Sequence, residues 1–490
     1  VNGETLTGMR MENDRVMAFL GVPFAEPPVG DLRWRAPQPL AATIGDRDAT
    51  QFGPACMQTT RILDWYRYLA ETFGDSADYY DDIEVSEDCL YLNIWTPSLD
   101  TQEKLPVMVW VHGGSNKSGW SYEQNYHGQN LAERGVVVVS VAYRLGVFGF
   151  FSHPDLPRNE PVANFGLWDL VAALEWLQAN IAVFGGDPNR VTLFGESAGA
   201  QNILALMASD VAEGLFHRAS LQSTAGFGLP GEIHGLGNEE RRARHLALHL
   251  GIREESLAGL RALSAETLLA EYEELFGYYY HGPAVDGQLI ERPTWEALRT
   301  GELGDRQIII GSNRDEWLDF IDADAGAGDL RESIDGLSYI DPAAALEVAA
   351  GEPLLRRAMD RVRTADQMLC PSQQTARHAT SHGLQAWMYF FTRVREDEGG
   401  ARIGAYHGAE YPYIFGVHDA YMTTNATDLA LTDAMQRYWV QFAATGDPNV
   451  DGVPPWPQFT APAFPVQELG NAVRTIGAPE QELCGTFRAE

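Results

Sequence analysis

The sequence predicts an α/β protein built on one large, mainly parallel sheet covered by helices. Three observations lead there: near-continuous apolar runs, a segment of helical period between two of them, and a serine between glycines where such a run meets a helix-forming stretch. The runs are Pro106–Val111, Val136–Tyr143, Val191–Phe194, Gln307–Gly311 and Leu384–Phe391. Strands covered on both faces read this way, because neither face meets water and no polar alternation is required. Between the second and third runs Leu167, Val171, Leu174, Leu177 and Ile181 recur at helical spacing, which supplies the crossover that a parallel connection needs. The third run ends in Gly195, Glu196, Ser197, Ala198 and Gly199, followed by the helix-favouring 200–207. Strand, tight turn and helix around G-x-S-x-G form a nucleophile elbow, in which small flanking residues let the chain turn sharply and lift the serine hydroxyl clear of the sheet. With no linker, repeat or low-complexity tract, 1–490 reads as a single domain. The mixed helical segments at approximately 235–305 and 325–382 are expected to cap a cleft at the carboxyl ends of the strands.

A net charge of −33 excludes a polyanionic partner such as nucleic acid. No run of 18 apolar residues marks a membrane span. Val1–Thr5 reads as a first strand and turn and not as a signal peptide, so the start looks like a mature or trimmed end. Cys56, Cys89, Cys370 and Cys484 match no zinc spacing and allow three disulfide pairings, or four buried thiols in a reducing compartment. Nothing implies a metal or cofactor, and the sequence leaves the oligomeric state open.

A serine hydroxyl needs a histidine base held by a carboxylate, and on such a sheet the chain order is serine, acid, histidine. The acid belongs after the 307–311 run, where Asp315 and Glu316 both qualify. His407 is the first histidine after the 384–391 run. His281 is its one rival, in the wrong order. His112-Gly113-Gly114-Ser115 follows the first run, so the backbone N–H groups of Gly113, Gly114 and Ala198 are the expected oxyanion donors. Gly226–Gly231 matches G-x-G-x-x-G but runs into Pro230 without a following amphipathic helix. It reads as a pocket loop, with Phe227, Tyr278, Tyr279, Glu196 and Trp317 as further substrate contacts.

Beyond the elbow, Glu87–Pro97, Phe19–Pro28 and Arg437–Asn449 resemble signature strings of the type-B carboxylesterase and cholinesterase family, over nearly the whole chain. That resemblance implies an α/β-hydrolase fold, Glu316 as the acid, His407 as the base, bridges Cys56–Cys89 and Cys370–Cys484, and a secreted or periplasmic location. It implies a carboxylesterase acting on a small-molecule ester. The chain lacks the Trp-Asn-Pro-Asn string of choline-binding members, so acetylcholine is not expected. The oxyanion loop departs from the usual Gly-Gly-Gly-Phe with Ser115, Asn116 and Lys117, a polar wall. Trp317 replaces the usual small residue after the acid. The alternatives are a promiscuous detoxifying esterase acting on neutral esters, and a non-catalytic binding protein of the same fold.

Lysine occurs only twice, at Lys104 and Lys117, the other basic residues of the 35 being arginine. In so acidic a chain an anionic substrate needs a local cation, and Lys117, with Ser115 and Asn116, is placed to offer one beside the acyl position. The expected acyl group therefore carries a free carboxylate. That is similar to the chemistry of bacterial family members that remove tricarballylate arms from fumonisin mycotoxins.

Overall fold

The computed structural model describes every residue except 2, 12–13, 43, 225–233, 278–280 and 489–490. Its centre is an 11-stranded sheet. In chain order the strands are β1 (Met9–Arg10), β2 (Met17–Pro23), β3 (Tyr91–Thr96), β4 (Leu105–Val111), β5 (Val137–Val141), β6 (Gly186–Glu196), β7 (Arg218–Gln222), β8 (Gln307–Asn313), β9 (Ala386–Phe391), β10 (Val466–Leu469) and β11 (Val473–Ile476). Across the sheet the order is β11-β10-β9-β8-β7-β6-β4-β5-β3-β2-β1. The pairings from β5 through β4 and β6 to β10 are all parallel, and the outer pairings are antiparallel. The five apolar runs are thus β4, β5, β6, β8 and β9. Val137, Val138, Val139 and Val141 of β5 are at most 1% exposed, because the sheet is covered on both faces.

The helical period after β5 becomes α2 (Phe165–Asn180), which buries Leu167, Val171, Leu174 and Leu177. With its 3-10 extension to Phe184 this is the one helix among the described residues long and apolar enough to cross a membrane, by length and composition only. Here it is the crossover from β5 to β6, and its start is fixed by the buried, bidentate Arg144–Asp169 pair.

Residues 235–305 and 325–382 carry several helices, among them Ala265–Phe276. Neither segment, however, supplies a described residue of the cleft wall at the carboxyl ends of the strands. Among the described residues, α1 (Arg61–Thr72), held in the loop that the Cys56–Cys89 bridge closes, contributes to the wall over the cleft. α1 turns Leu63, Tyr66, Leu69 and Ala70 inward, which ties it down by apolar burial.

Both bridges are formed, Cys56–Cys89 and Cys370–Cys484. The second closes a span of 114 residues, a large loss of freedom for the unfolded chain. Replacing Cys370 and Cys484 together by serine should lower the unfolding free energy by about 2–5 kcal/mol in urea titration. An unchanged midpoint, or alkylation of thiols in the native protein, would count against the bridge.

Candidate active site

Ser197 stands between β6 and α3 (Ala198–Met207) with φ 53° and ψ −124°, a strained conformation for a residue with a side chain. It is clamped from both sides: Ser197 N–H donates to the Gln222 carbonyl at 2.9 Å, and Gln201 N–H donates to the Ser197 carbonyl at 3.0 Å. The loop after β4 lies against it. A β-carbon on Gly113 would stand 3.2 Å from Ser197 Cβ and 2.8 Å from Glu196 Oε2, so only glycine allows this approach. Gly114, at φ 96°, starts a turn in which its carbonyl accepts from the N–H groups of Lys117 and Ser118. The N–H groups of Gly114 and Ser115 find no acceptor among the described residues, and Ala198, first in its helix, has no intrahelical one. Gly114 and Ser115 line the same cleft as Ser197, and Ala198 follows it directly, so unpaired donors of the kind that stabilise a negative oxygen stand close to the hydroxyl.

The strand ends bring the other two groups together. His407 Nδ1 lies 2.6 Å from Glu316 Oε2. Glu316 is fully buried, and its other oxygen accepts from Ser223 Oγ at 2.7 Å and from Asn313 N–H at 2.6 Å. Asp315, the carboxylate left open by spacing alone, faces elsewhere. It accepts from Ala405 N–H at 2.7 Å and pairs with Arg314 and Arg357, fixing the loop that carries His407. His281 is buried outside the cleft, against the Tyr272 ring.

His407 Nε2 sits 2.9 Å from Glu196 Oε1 in an ion-pair contact, and no hydrogen bond joins it to Ser197. The resting imidazole is therefore flanked by carboxylates on both nitrogens. Burial pushes its pKa down, but Glu196 and Glu316 outweigh burial and hold it well above the ordinary histidine value. Further acids ring this centre. Burial raises Glu123 to about 7, Glu410 to about 8 and Asp319 to about 6, with Glu196 adding to the first two.

The cleft is lined by Gly113, Gly114, Ser115, Glu196, Ser197 and His407, as the sequence suggests, and by residues it does not single out. Those are Arg61, Ile62, Trp65 and Tyr66 of α1, with Glu123, Tyr126, Phe320 and Tyr411. Glu123 is buried and accepts from Trp120 N–H at 3.0 Å and from the Tyr66 hydroxyl. Trp65 is held by its indole N–H, which donates to Asp319 at 2.9 Å. The readable signal for α1 is its amphipathic spacing inside the disulfide loop. Glu123 has no local signal, being one carboxylate of 68 in the chain.

Three expected substrate contacts are corrected. Lys117 is only 6% exposed and absent from the cleft wall; its ammonium donates to the Gly277 carbonyl, because a buried cation must be satisfied. Asn116 is fully buried and structural: its side chain bonds Asn202 and the His281 carbonyl, and accepts from Tyr143. The Trp317 ring lies parallel to His407 at 6.4 Å between centroids, with Arg363 over it at 4.8 Å, so it backs the imidazole and does not line the cleft. Phe227, Tyr278, Tyr279 and the Gly226–Gly231 string lie outside the described residues.

A sheet of this topology with a serine elbow, a histidine paired to a buried carboxylate and free N–H donors defines a serine hydrolase of the α/β-hydrolase fold. The carboxylesterase family model matches residues 1–484, and the chain belongs to that family. It is 33% identical over 468 residues to the fumonisin B1 esterase of Sphingopyxis macrogoltabida, covering 91% of this chain and 82% of that protein. It is also 33% identical over 494 residues to the para-nitrobenzyl esterase of Bacillus subtilis strain 168, covering 95% and 94%. Among solved structures, a Geobacillus stearothermophilus carboxylesterase superposes with a TM-score of 0.82 at 31% identity, covering 97% of this chain and 96% of that one. The protein is thus a carboxylic ester hydrolase.

A raised histidine pKa has a definite sign in kinetics. The neutral, basic imidazole appears only as pH rises through that value, so it sets the acid limb of kcat/KM. Removing the charge of Glu196 takes away a raising influence. Glu196→Gln should therefore move the acid limb to lower pH, and an unmoved limb would show that Glu196 does not charge His407.

Proposed function

We propose that Ser197, His407 and Glu316 are the catalytic triad, and that the substrate is a bulky ester whose acyl part carries a free carboxylate. The observation that carries the triad is the 2.6 Å contact between His407 and Glu316 beside a cleft that also holds Ser197. The imidazole swings from Glu196 toward Ser197 and takes the hydroxyl proton as Oγ attacks the ester carbonyl. Catalytic hydrogen bonds commonly tighten only once substrate is bound. The oxyanion is held by the N–H groups of Gly113, Gly114 and Ala198, with Ser115 as a further donor. His407 then gives its proton to the departing alcohol, and the acyl–Ser197 ester is cleaved by a water that His407 deprotonates in turn. Glu316 stabilises the imidazolium in both halves.

The substrate reading is supported by the wall of the cleft and by one relative. Ile62 is the only aliphatic side chain among the described lining residues. A wall of hydroxyls, aromatic rings, carboxylates and one arginine suits a polar acyl group better than a fatty one. The relative named a fumonisin B1 esterase matches nearly the whole chain, and a tricarballylate ester of that toxin class is the specific substrate we favour. The two disulfides favour an oxidising compartment, which supports a secreted or periplasmic location.

Glu316→Gln should lower kcat by several orders of magnitude while Asp315→Asn, a change in loop support, should cost far less; the reverse order would move the acid to Asp315. Incubation with fumonisin B1 should release free tricarballylate, measured by mass spectrometry, and Ser197→Ala should abolish the release. Turnover of simple nitrophenyl esters with no tricarballylate released would leave an esterase of neutral substrates.

A further inference from the structure

The cleft has a polarity along its depth. Its inner wall holds Glu196 and Glu123, both buried, and Glu123 is anchored by the Tyr66 hydroxyl and Trp120 N–H. A second carboxylate brought in beside them would lose its solvation next to two acids, where the nearby cation, His407, is already held by Glu196 and Glu316. At the rim stands Arg61, exposed, the first residue of α1, and apart from His407 the only cationic side chain among the described lining residues. Most arginines near a carboxylate in this chain are paired, as Arg33 is to Glu87, Arg144 to Asp169 and Arg393 to Asp428. Arg61 has no carboxylate partner among the described residues. The acid one turn along, Asp64, accepts from the Thr60 hydroxyl and faces Arg67. The positive character of the rim extends behind Arg61 to Lys117, whose lowered pKa comes from burial, with Arg61 and Arg242 adding to it against Glu273.

We propose that Arg61 holds a free carboxylate of the ester at the mouth of the cleft, so that the substrate enters with its charge outward and its scissile carbonyl inward at Ser197. This rests on reading the substrate as a carboxylate-bearing ester, and assigns to Arg61 the part that position in the sequence suggests for Lys117. The guanidinium offers a planar pair of donors that matches a carboxylate, and with no carboxylate partner among the described residues it presents those donors to the cleft. The acidic, poorly solvated inner wall works in the same direction, disfavouring the inverted orientation. Arg61 is a specificity residue, remote from the bond that breaks.

The test compares kcat/KM for mono-4-nitrophenyl adipate and for its methyl ester, which differ only in the free carboxylate. In the wild type the ratio of acid to methyl ester should exceed one and fall as ionic strength rises, since the rim is exposed. Arg61→Met should lower that ratio about 5- to 20-fold, mainly through KM for the acid, and Arg61→Lys should recover part of it. A wild type with no preference for the acid overturns the carboxylate reading and the role of Arg61 together. A preference that survives in Arg61→Met overturns the role of Arg61 alone and leaves the substrate reading standing.

Discussion

The close approach of α3 to the end of β4 is the constraint on which the rest of the site depends. A β-carbon on Gly199 would lie 2.1 Å from the Val111 carbonyl oxygen, and one on Gly195 would lie 2.6 Å from the same atom. No other residue fits at either place, so the chain can pass from β6 into α3 only through the tight turn that holds Ser197 at positive φ. The same contact brings the loop after β4 under the serine. Ser197 and the N–H groups proposed to hold the oxyanion are thus placed by one steric fact, and the strain at Ser197 is carried by a buried sheet on one side and a buried helix on the other.

Around this centre the protein buries several acids together, at a desolvation cost that a surface would not impose. Glu196, Glu316, Glu123, Glu410 and Asp319 are all buried near one imidazole. Glu316 is satisfied by three hydrogen-bonding groups, whereas burial raises Glu410 to about 8 and so favours its neutral form at neutral pH. The imidazolium is the natural counter-charge for the remainder. In the proposed mechanism that charge is given up at the moment of attack and regained as the oxyanion forms, so the same carboxylates that delay the base support it in the transition state.

The chain itself specifies the strands, the crossover helix, the elbow and the order of serine, acid and histidine. These are local matters: a strand buried on both faces has to be apolar, and a turn this tight has to be flanked by glycine. The choice between Asp315 and Glu316 is not local. It is made by which carboxylate meets Ser223, Asn313 and His407, residues from three different strand ends, while the neighbouring side chain turns to Arg357 and Ala405. The part of the cleft wall outside the elbow, the oxyanion loop and His407 was equally hidden in sequence. Lys117, next to the oxyanion loop, points into the protein because Gly277, 160 residues away, offers its ammonium a carbonyl. Arg61, 136 positions from Ser197, reaches the rim because a disulfide and an apolar helix face fold its segment over the strand ends. Proximity along the chain decides which turn forms; burial and the need to satisfy each buried charge decide which side chains meet the substrate.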